Sequence, residues 1–544
     1  MLKKTFISIL IIILILGGVV WVNRFDILLY VAGKRAQIPI AANKSVTWSS
    51  GPSKETEKPN VILIVMDDMG INDVSTFGAG MVATPNIDVL ASKGALFTNG
   101  YSAHANCAPA RGALMTGRTP ARNGFEVTPM LDNMGRLLSI IANSTPQGRP
   151  EVIYKAEVDK SNPPFEERGL PGTEVTMAEV LQEQGYQTLH IGKWHMGRND
   201  EMKPNAQGFN ESLMMDSGLY LPIEHPNVVN GMVESSIVGK FIWATMQYSV
   251  RWNSGEAFEP RGYLTDYFTE EAERAIEANA NRPFFLYLAH WGVHNPLQAT
   301  KEDYEAVGEI VPHHKRVYAA MLRALDRSVE RIMSKLEEQG IADNTIIVLT
   351  SDNGGADYVA IDDLNAPYRG WKNTFFEGGI KVPYSITWPK AINPGTIVDV
   401  PVNHYDLMPT IAKATGANLP TNRVIDGKDL SPLWSGELSL RRENEALFWS
   451  TGSYRTVQAN GWKLQLNPDS NQEFLFNLNE DPTEQINLVD SHPVKLEELR
   501  KIISEYFSEL DEPAARSVIL APIGIDINRS EVLSEDGTYI IWAN

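Results

Sequence analysis

The sequence predicts an α/β protein: a large mixed, mostly parallel sheet flanked by helices, with a small C-terminal α+β subdomain of antiparallel strands and a helix. Three observations predict it. Short continuous apolar runs at 61–66, 283–288 and 345–350 read as strands buried on both faces of a parallel sheet. Helical patterns at 175–184 and 315–339 lie between them, the second carrying Tyr318, Met321, Leu322, Leu325, Val329, Ile332 and Met333 at helical spacing, with Gly340 at its end. Beyond about 442 the texture changes to short alternating segments at 446–449, 455–458, 463–466 and 474–478, followed by a helical stretch at 494–507.

Taken in chain order, Lys3 and Lys4 precede an apolar stretch at 6–22 whose one conventionally polar side chain is Ser8. As a helix it is just long enough to span a thin bilayer. No small-x-small cleavage site lies close to Val22, which favours an uncleaved anchor over a cleaved signal peptide. The two lysines place the N-terminus in the cytoplasm and the bulk outside it. The expected organisation is an anchor or signal segment at 1–24, a linker at 25–58, a catalytic domain at 59–441, and a C-terminal subdomain and tail at 442–544. Residues 41–59 are polar and read as a tether.

Composition narrows the chemistry. The 544 residues are 43% hydrophobic and 21% charged, which gives ample material for a core and excludes disorder for the bulk. A net charge of −19 argues against broad attraction to nucleic acid or anionic membranes, so an anionic substrate must be held by local cations. Cys107 is the one cysteine, which rules out an intrachain disulfide and any cysteine-cluster metal site.

In open α/β sheets, ligands bind beyond the carboxyl ends of the strands. Asp67 and Asp68 directly follow the first apolar run, and Asp352 and Asn353 the third. Four oxygen donors at two strand ends suit a hard cation such as calcium or magnesium. Either pair alone is better explained by helix capping or turn closure; equivalent placement strengthens the metal reading. Cys107 opens Cys107-Ala108-Pro109-Ala110-Arg111. Proline fits the first turn of a helix, so Cys107 belongs at a helix N-terminus, where free amides favour anions, with Arg111 one turn on along the same face. The alternative is a buried structural cysteine.

Cys107-x-Pro109-x-Arg111 followed by Thr116-Gly117-Arg118 resembles the signature of the type I sulfatases, in which the cysteine is oxidised after translation to Cα-formylglycine. Gly192-Lys193-Trp194-His195, His294-Asn295-Pro296, Ser351-Asp352-Asn353-Gly354, Arg369-Gly370-Trp371-Lys372, Glu377-Gly378-Gly379 and Asp481-Pro482-x-Glu484 fall in the family's order, so the resemblance covers roughly 59–488. Ala110 departs from the serine most often found there, but the Cys-Pro-Arg core is intact. The resemblance implies an alkaline phosphatase-like fold and hydrolysis of sulfate monoesters. It also implies Ca2+, more readily than Mg2+, held by Asp67, Asp68, Cys107 in its modified form, Asp352 and Asn353. Arg111 would steady the hydrated aldehyde, Lys193 and Lys372 would bind sulfate oxygens, His294 would protonate the leaving oxygen, and His195 would assist collapse of the diol. Implied partners are a small-molecule or saccharide sulfate ester and a formylglycine-generating or anaerobic sulfatase-maturing enzyme; no nucleic acid is expected.

The remaining histidines read as structural, with His290, at the end of the second apolar run, open to either reading. Stretches 130–168 and 202–260 fall between motifs. Their aromatics, Trp243 and Trp252 among them, either pack on the main domain or wall the pocket. Two other functions stay open: a phosphonate monoester or phosphodiester hydrolase sharing fold and motif, and a non-catalytic binding homologue.

Overall fold

The computed structural model describes residues 33–34, 37–52, 57–78, 80–144, 148–233, 237–434, 446–534 and 537–544. The predicted anchor at 1–24 and the 441/442 boundary lie outside them. Among the described residues, no helix is long and apolar enough to cross a membrane.

Ten strands form the main sheet: β1 Asn60–Met66, β2 Ala95–Phe97, β3 Gln187–Gly192, β4 Glu211–Gly218, β5 Tyr248–Trp252, β6 Ala257–Phe258, β7 Phe284–Ala289, β8 Thr345–Ser351, β9 Tyr384–Thr387 and β10 Thr396–Val398. Their spatial order is β10-β2-β9-β8-β1-β7-β3-β4-β5-β6. The central run β8-β1-β7-β3-β4 is parallel, and antiparallel pairs appear toward both edges. All seven residues of β1 are buried. Its side chains alternate between two cores: Ile62, Ile64 and Met66 join one cluster, Val61, Leu63 and Val65 the other. A strand covered on both faces has no polar side to display, which is why β1, β7 and β8 read as unbroken apolar runs. The long helix His313–Glu338 supplies Val317, Leu325 and Ile332 to the first core, and the helices Met177–Glu183 and Leu407–Thr415 pack in the second.

The C-terminal unit is a four-stranded antiparallel meander, β11 Leu447–Thr451, β12 Tyr454–Ala459, β13 Trp462–Asn467 and β14 Gln472–Asn477, closed by the helix Pro493–Ser508. Val457, Leu464 and Leu475 pack on Leu499 and Ile503 of that helix. Trp449, Tyr454 and Phe476 face the main domain, against Tyr101, Phe375 and Phe376. The tail adds two strands unforeseen in the sequence, Ile519–Gly524 and Tyr539–Ala543, which pair with each other, the first also with Ile153–Tyr154 of the first insert.

The tether reading of 41–59 is corrected over 41–52. Val46 and Trp48 are buried, the Trp48 indole N–H donates to Glu271 at 3.0 Å, and Ser49 hydrogen-bonds Glu211. Two apolar anchors in a polar stretch suffice to lay it along the main domain as a strap.

Candidate active site

The carboxyl ends of four adjacent strands carry most of the predicted residues: Asp352 and Asn353 after β8, Asp67 and Asp68 after β1, His294 beyond β7, and Lys193 and His195 after β3. Backbone hydrogen bonds lock these ends together, from Asp67 N to Gly292 O at 2.9 Å, Asp352 N to Met66 O at 3.1 Å, and Lys193 N to Ala289 O at 2.8 Å. Parallel pairing thus brings together side chains almost 300 residues apart in sequence.

Cys107 opens an α-helix, Cys107–Thr116, as the proline predicted, and the helix ends at Gly117 in the left-handed conformation, φ 66°. Every residue of that helix is buried. Cys107 Sγ lies 3.5 Å from Asp67 Oδ1 and 3.6 Å from Asp68 Oδ1. Burial, and then the Asp352 carboxylate, push its thiol pKa far up. A thiolate is therefore not what this site supplies.

Arg111 projects from the same helix and clamps two strand ends. Its Nη2 lies 2.7 Å from Asp352 and 3.2 Å from Asp67, and its Nη1 donates to Tyr287 at 2.9 Å. Burial works against its charge, but Tyr287, Asp352 and Asp67 hold its pKa well above the ordinary value. Lys193 Nζ is 2.6 Å from Asp67, and Lys372 Nζ is 2.7 Å from Asp68 and 3.1 Å from the Tyr358 hydroxyl. Burial would lower Lys372, yet the neighbouring anions, Asp68 foremost, together outweigh it and hold the ammonium. Burial and the Asp352 charge raise Asp67, whereas at Asp68 burial is outweighed by Lys372, His294 and Lys193 acting together, which keep the carboxyl ionised.

His294 Nδ1 lies 2.5 Å from Asn295 O, leaving Nε2 to face Asp68 Oδ2 at 3.5 Å and the Tyr358 hydroxyl at 3.3 Å. Burial, opposed by Asp68 and reinforced by Lys372, holds the ring well below its ordinary pKa. His195 is exposed to solvent, yet protein encloses much of its ring. That enclosure, then the charges of Lys193, Arg111 and Lys372, lower its pKa. Asp68 and His195 both adopt left-handed backbone, φ 58° and 61°. Such backbone is uncommon for non-glycine residues and aims both side chains into the site.

The donor set fits a hard cation. Asp67, Asp68 and His294 bring ligand atoms within 4.8 Å of one another and of Cys107 Sγ. Asn353 donates its Nδ2 to Asp68 at 2.8 Å while its Oδ1 is buried with no hydrogen-bond partner among the described residues. An orphaned carbonyl beside buried carboxylates is a vacant ligand for a metal of the calcium or magnesium class. Asp352 departs from the predicted set: its Oδ2 is bound to Arg111 and its Oδ1 accepts from Asp68 N at 3.2 Å, so the cation of Arg111 competes for it.

His290 resolves as structural. It is buried, its Nε2 meets Ser328 Oγ at 2.9 Å, and burial lowers its pKa to about 3. His104, His190 and His404 are buried in the same way, each with a pKa of about 3. Trp252 packs edge-on against Trp48 at 4.7 Å, at the far edge of the sheet, which settles it as a packing residue. Trp243 is buried in the helix Ile237–Thr245, which packs on the turn Asp357–Val359 carrying Tyr358. Tyr358 and Trp291 were not foreseen. The one signal for Trp291 was its place between His290 and His294.

Comparisons with known proteins agree with this geometry. The sulfatase family model matches residues 59–417, and the model of the N-sulphoglucosamine sulphohydrolase C-terminal region matches 369–512. Human steryl-sulfatase is 29% identical over 491 residues, 79% of this chain and 78% of that protein. Mouse N-acetylgalactosamine-6-sulfatase is 32% identical over 422 residues, 75% and 74% of the two chains. The solved structure of Ps i-CgsB in complex with k-i-k-neocarrahexaose superposes with a TM-score of 0.69 at 29% identity, covering 84% of this chain and 95% of that one. Phosphonate monoester hydrolase SpPMH from Silicibacter pomeroyi, at 18% identity and TM-score 0.59, shares the fold. A buried acid cage beneath Cys107, ringed by Arg111, Lys193 and Lys372, and a family match over most of the chain lead to one conclusion: this protein belongs to the sulfatases, hydrolases of sulfate esters built on the alkaline phosphatase-like fold.

Proposed function

We propose that this chain hydrolyses sulfate monoesters through a covalent sulfo-enzyme formed at Cys107 after its conversion to formylglycine. The observation that carries the reading is the state of Cys107: a buried thiol, raised in pKa, set among Asp67, Asp68 and three cations. As a cysteine it is a poor nucleophile there. A hydrated formylglycine supplies one hydroxyl to attack sulfur and a second whose collapse expels sulfate.

The chain's own residues do the rest. Asp67, Asp68, Asp352 and Asn353 would hold a calcium ion, or less readily magnesium, which would lower the pKa of the attacking hydroxyl and polarise a sulfate oxygen. Lys193 and Lys372 exchange their carboxylate partners for sulfate oxygens. Arg111 steadies the hydrated aldehyde and lets Asp67 and Asp352 sit close together by neutralising both. His294 Nε2 faces the same space and delivers a proton to the leaving oxygen, the anionic substrate countering the field that depresses its pKa. His195, at the mouth, takes the proton released when the diol collapses.

These cations explain how a protein of net charge −19 binds an anion. Exposed charges are screened within ~8–10 Å, whereas the buried cations are not. The relatives' saccharide and steroid sulfates make a carbohydrate or aryl sulfate the substrate class we favour over a phosphonate or phosphodiester. We further propose export, with tethering through the segment at 1–24, and dependence on a formylglycine-generating or anaerobic maturing enzyme.

Intact-mass analysis tests the core claim: conversion lowers the mass by about eighteen daltons. An unconverted cysteine in active protein, or turnover by Cys107→Ala, would overturn it. A panel of matched aryl sulfate, phosphate and phosphonate esters tests the class, with sulfate expected to turn over fastest.

A further inference from the structure

Trp291 is buried, lies outside every motif the sequence singles out, and touches two groups of the site at once. Its indole stacks on the His294 imidazole, with centroids 4.0 Å apart and planes at 23°. Lys193 Nζ lies 4.8 Å from the centroid of the same indole. The indole is itself fixed. Its N–H donates to Gly218 O at 2.7 Å, and the Tyr220 hydroxyl lies 2.8 Å from Trp291 O and 2.9 Å from His294 O. With Nδ1 tied to Asn295 O at 2.5 Å, the stacked imidazole has one orientation, Nε2 toward the site. The indole's other neighbour is a cation that the sheet alone does not orient: Lys193 has a flexible four-carbon stem, and an aromatic face restricts where its ammonium rests.

We propose that Trp291 is a positioning residue that holds the proton-donating imidazole of His294 and the sulfate-binding ammonium of Lys193 in fixed relation on one aromatic platform. The proposal rests on the roles assigned to His294 and Lys193 above. Its consequence is geometric. Proton delivery must coincide with departure of the leaving oxygen, and an imidazole free to tilt loses that alignment. Leaving groups that need no proton are insensitive to it.

The test is a series of aryl sulfates of graded leaving-group acidity, measured with Trp291→Leu, Trp291→Phe and His294→Ala. Trp291→Leu removes the stack and is expected to lower kcat about 100-fold on the poorest leaving group and only a few-fold on the most activated, steepening the dependence. Trp291→Phe keeps an aromatic face and is expected to retain the wild-type slope. Where Leu does not fold, Trp291→Met fills the volume without a ring and replaces it. An equal loss across the series, or a Phe variant as steep as Leu, would overturn the positioning role. His294→Ala separates the two claims: if its slope matches wild type, the proton-donor assignment fails, whatever Trp291 does.

Discussion

Lys463 of the C-terminal sheet reaches across to the main domain and lies 2.9 Å from Glu377, with Glu484 of its own unit also at 2.9 Å. All three side chains are buried, and Glu484 Oε2 also accepts from Glu377 N at 2.6 Å. The C-terminal unit is thus pinned beneath the site by one cation shared between two carboxylates, and burial together with the Glu377 charge raises Glu484.

Removing that cation leaves Glu484 without a cation and Glu377 with only Lys381, at 3.9 Å. Lys463→Met is expected to cost about 3–5 kcal/mol of unfolding free energy at neutral pH. The cost should shrink in acid, because protonation then neutralises the carboxylates. Urea melts at pH 5 and pH 8 check this; an equal loss at both would show that packing, not charge, is what the lysine supplies.

Metal removal should expose the repulsion within the acid cage. Chelator-treated protein is expected to lose activity and melt at a lower temperature, and Ca2+ to restore both more fully than Mg2+. Calorimetry before and after verified depletion decides it; an unchanged melting temperature would contradict a structural contribution from the ion.

Asp73 provides a pH signature away from the chemistry. Burial raises its pKa to about 7 from 3.8, although Gly70 N at 2.8 Å and the Tyr318 hydroxyl at 2.6 Å both donate to its Oδ2. The native state therefore holds a proton that the unfolded chain releases above pH 3.8. Stability from this group is full below that pH and falls by ~1.4 kcal/mol per unit as pH rises to about 7. Asp73→Asn should flatten that part of the profile, read as stability between pH 4.5 and 7; a variant with the parent's slope would refute it.

Trp243 should influence which ester is accepted. Its helix packs on the turn bearing Tyr358, whose hydroxyl contacts Lys372, His294 and, at 2.8 Å, Asp68. Trp243→Ala is expected to shift relative kcat/KM among aryl, steroid and sugar sulfates by tenfold or more, about the worth of one lost apolar contact. Trp252→Ala, at the far sheet edge, should change stability but not that ranking. Identical rankings for both variants would remove Trp243 from the pocket.

The sequence by itself determined three strands of the main sheet, β1, β7 and β8, the C-terminal meander, the helix opening at Cys107 and the acid pairs, because each is a local pattern: an apolar or alternating run, a proline in the first turn, acids after a strand. Even His290 was placed correctly at the end of β7, with only its role undecided. Tertiary structure alone decided who faces whom. Trp291 and Tyr358 carry no motif, and their roles come from the packing of β7, the turn after β8 and the insert helix. The strap at 41–52 looked like a tether because two buried side chains, Val46 and Trp48, do not stand out in a polar stretch. Pattern reports the period of the backbone, whereas contact across the sheet depends on strand order. In this chain strand order sets Asp67 beside Asp352, and no local signal records that.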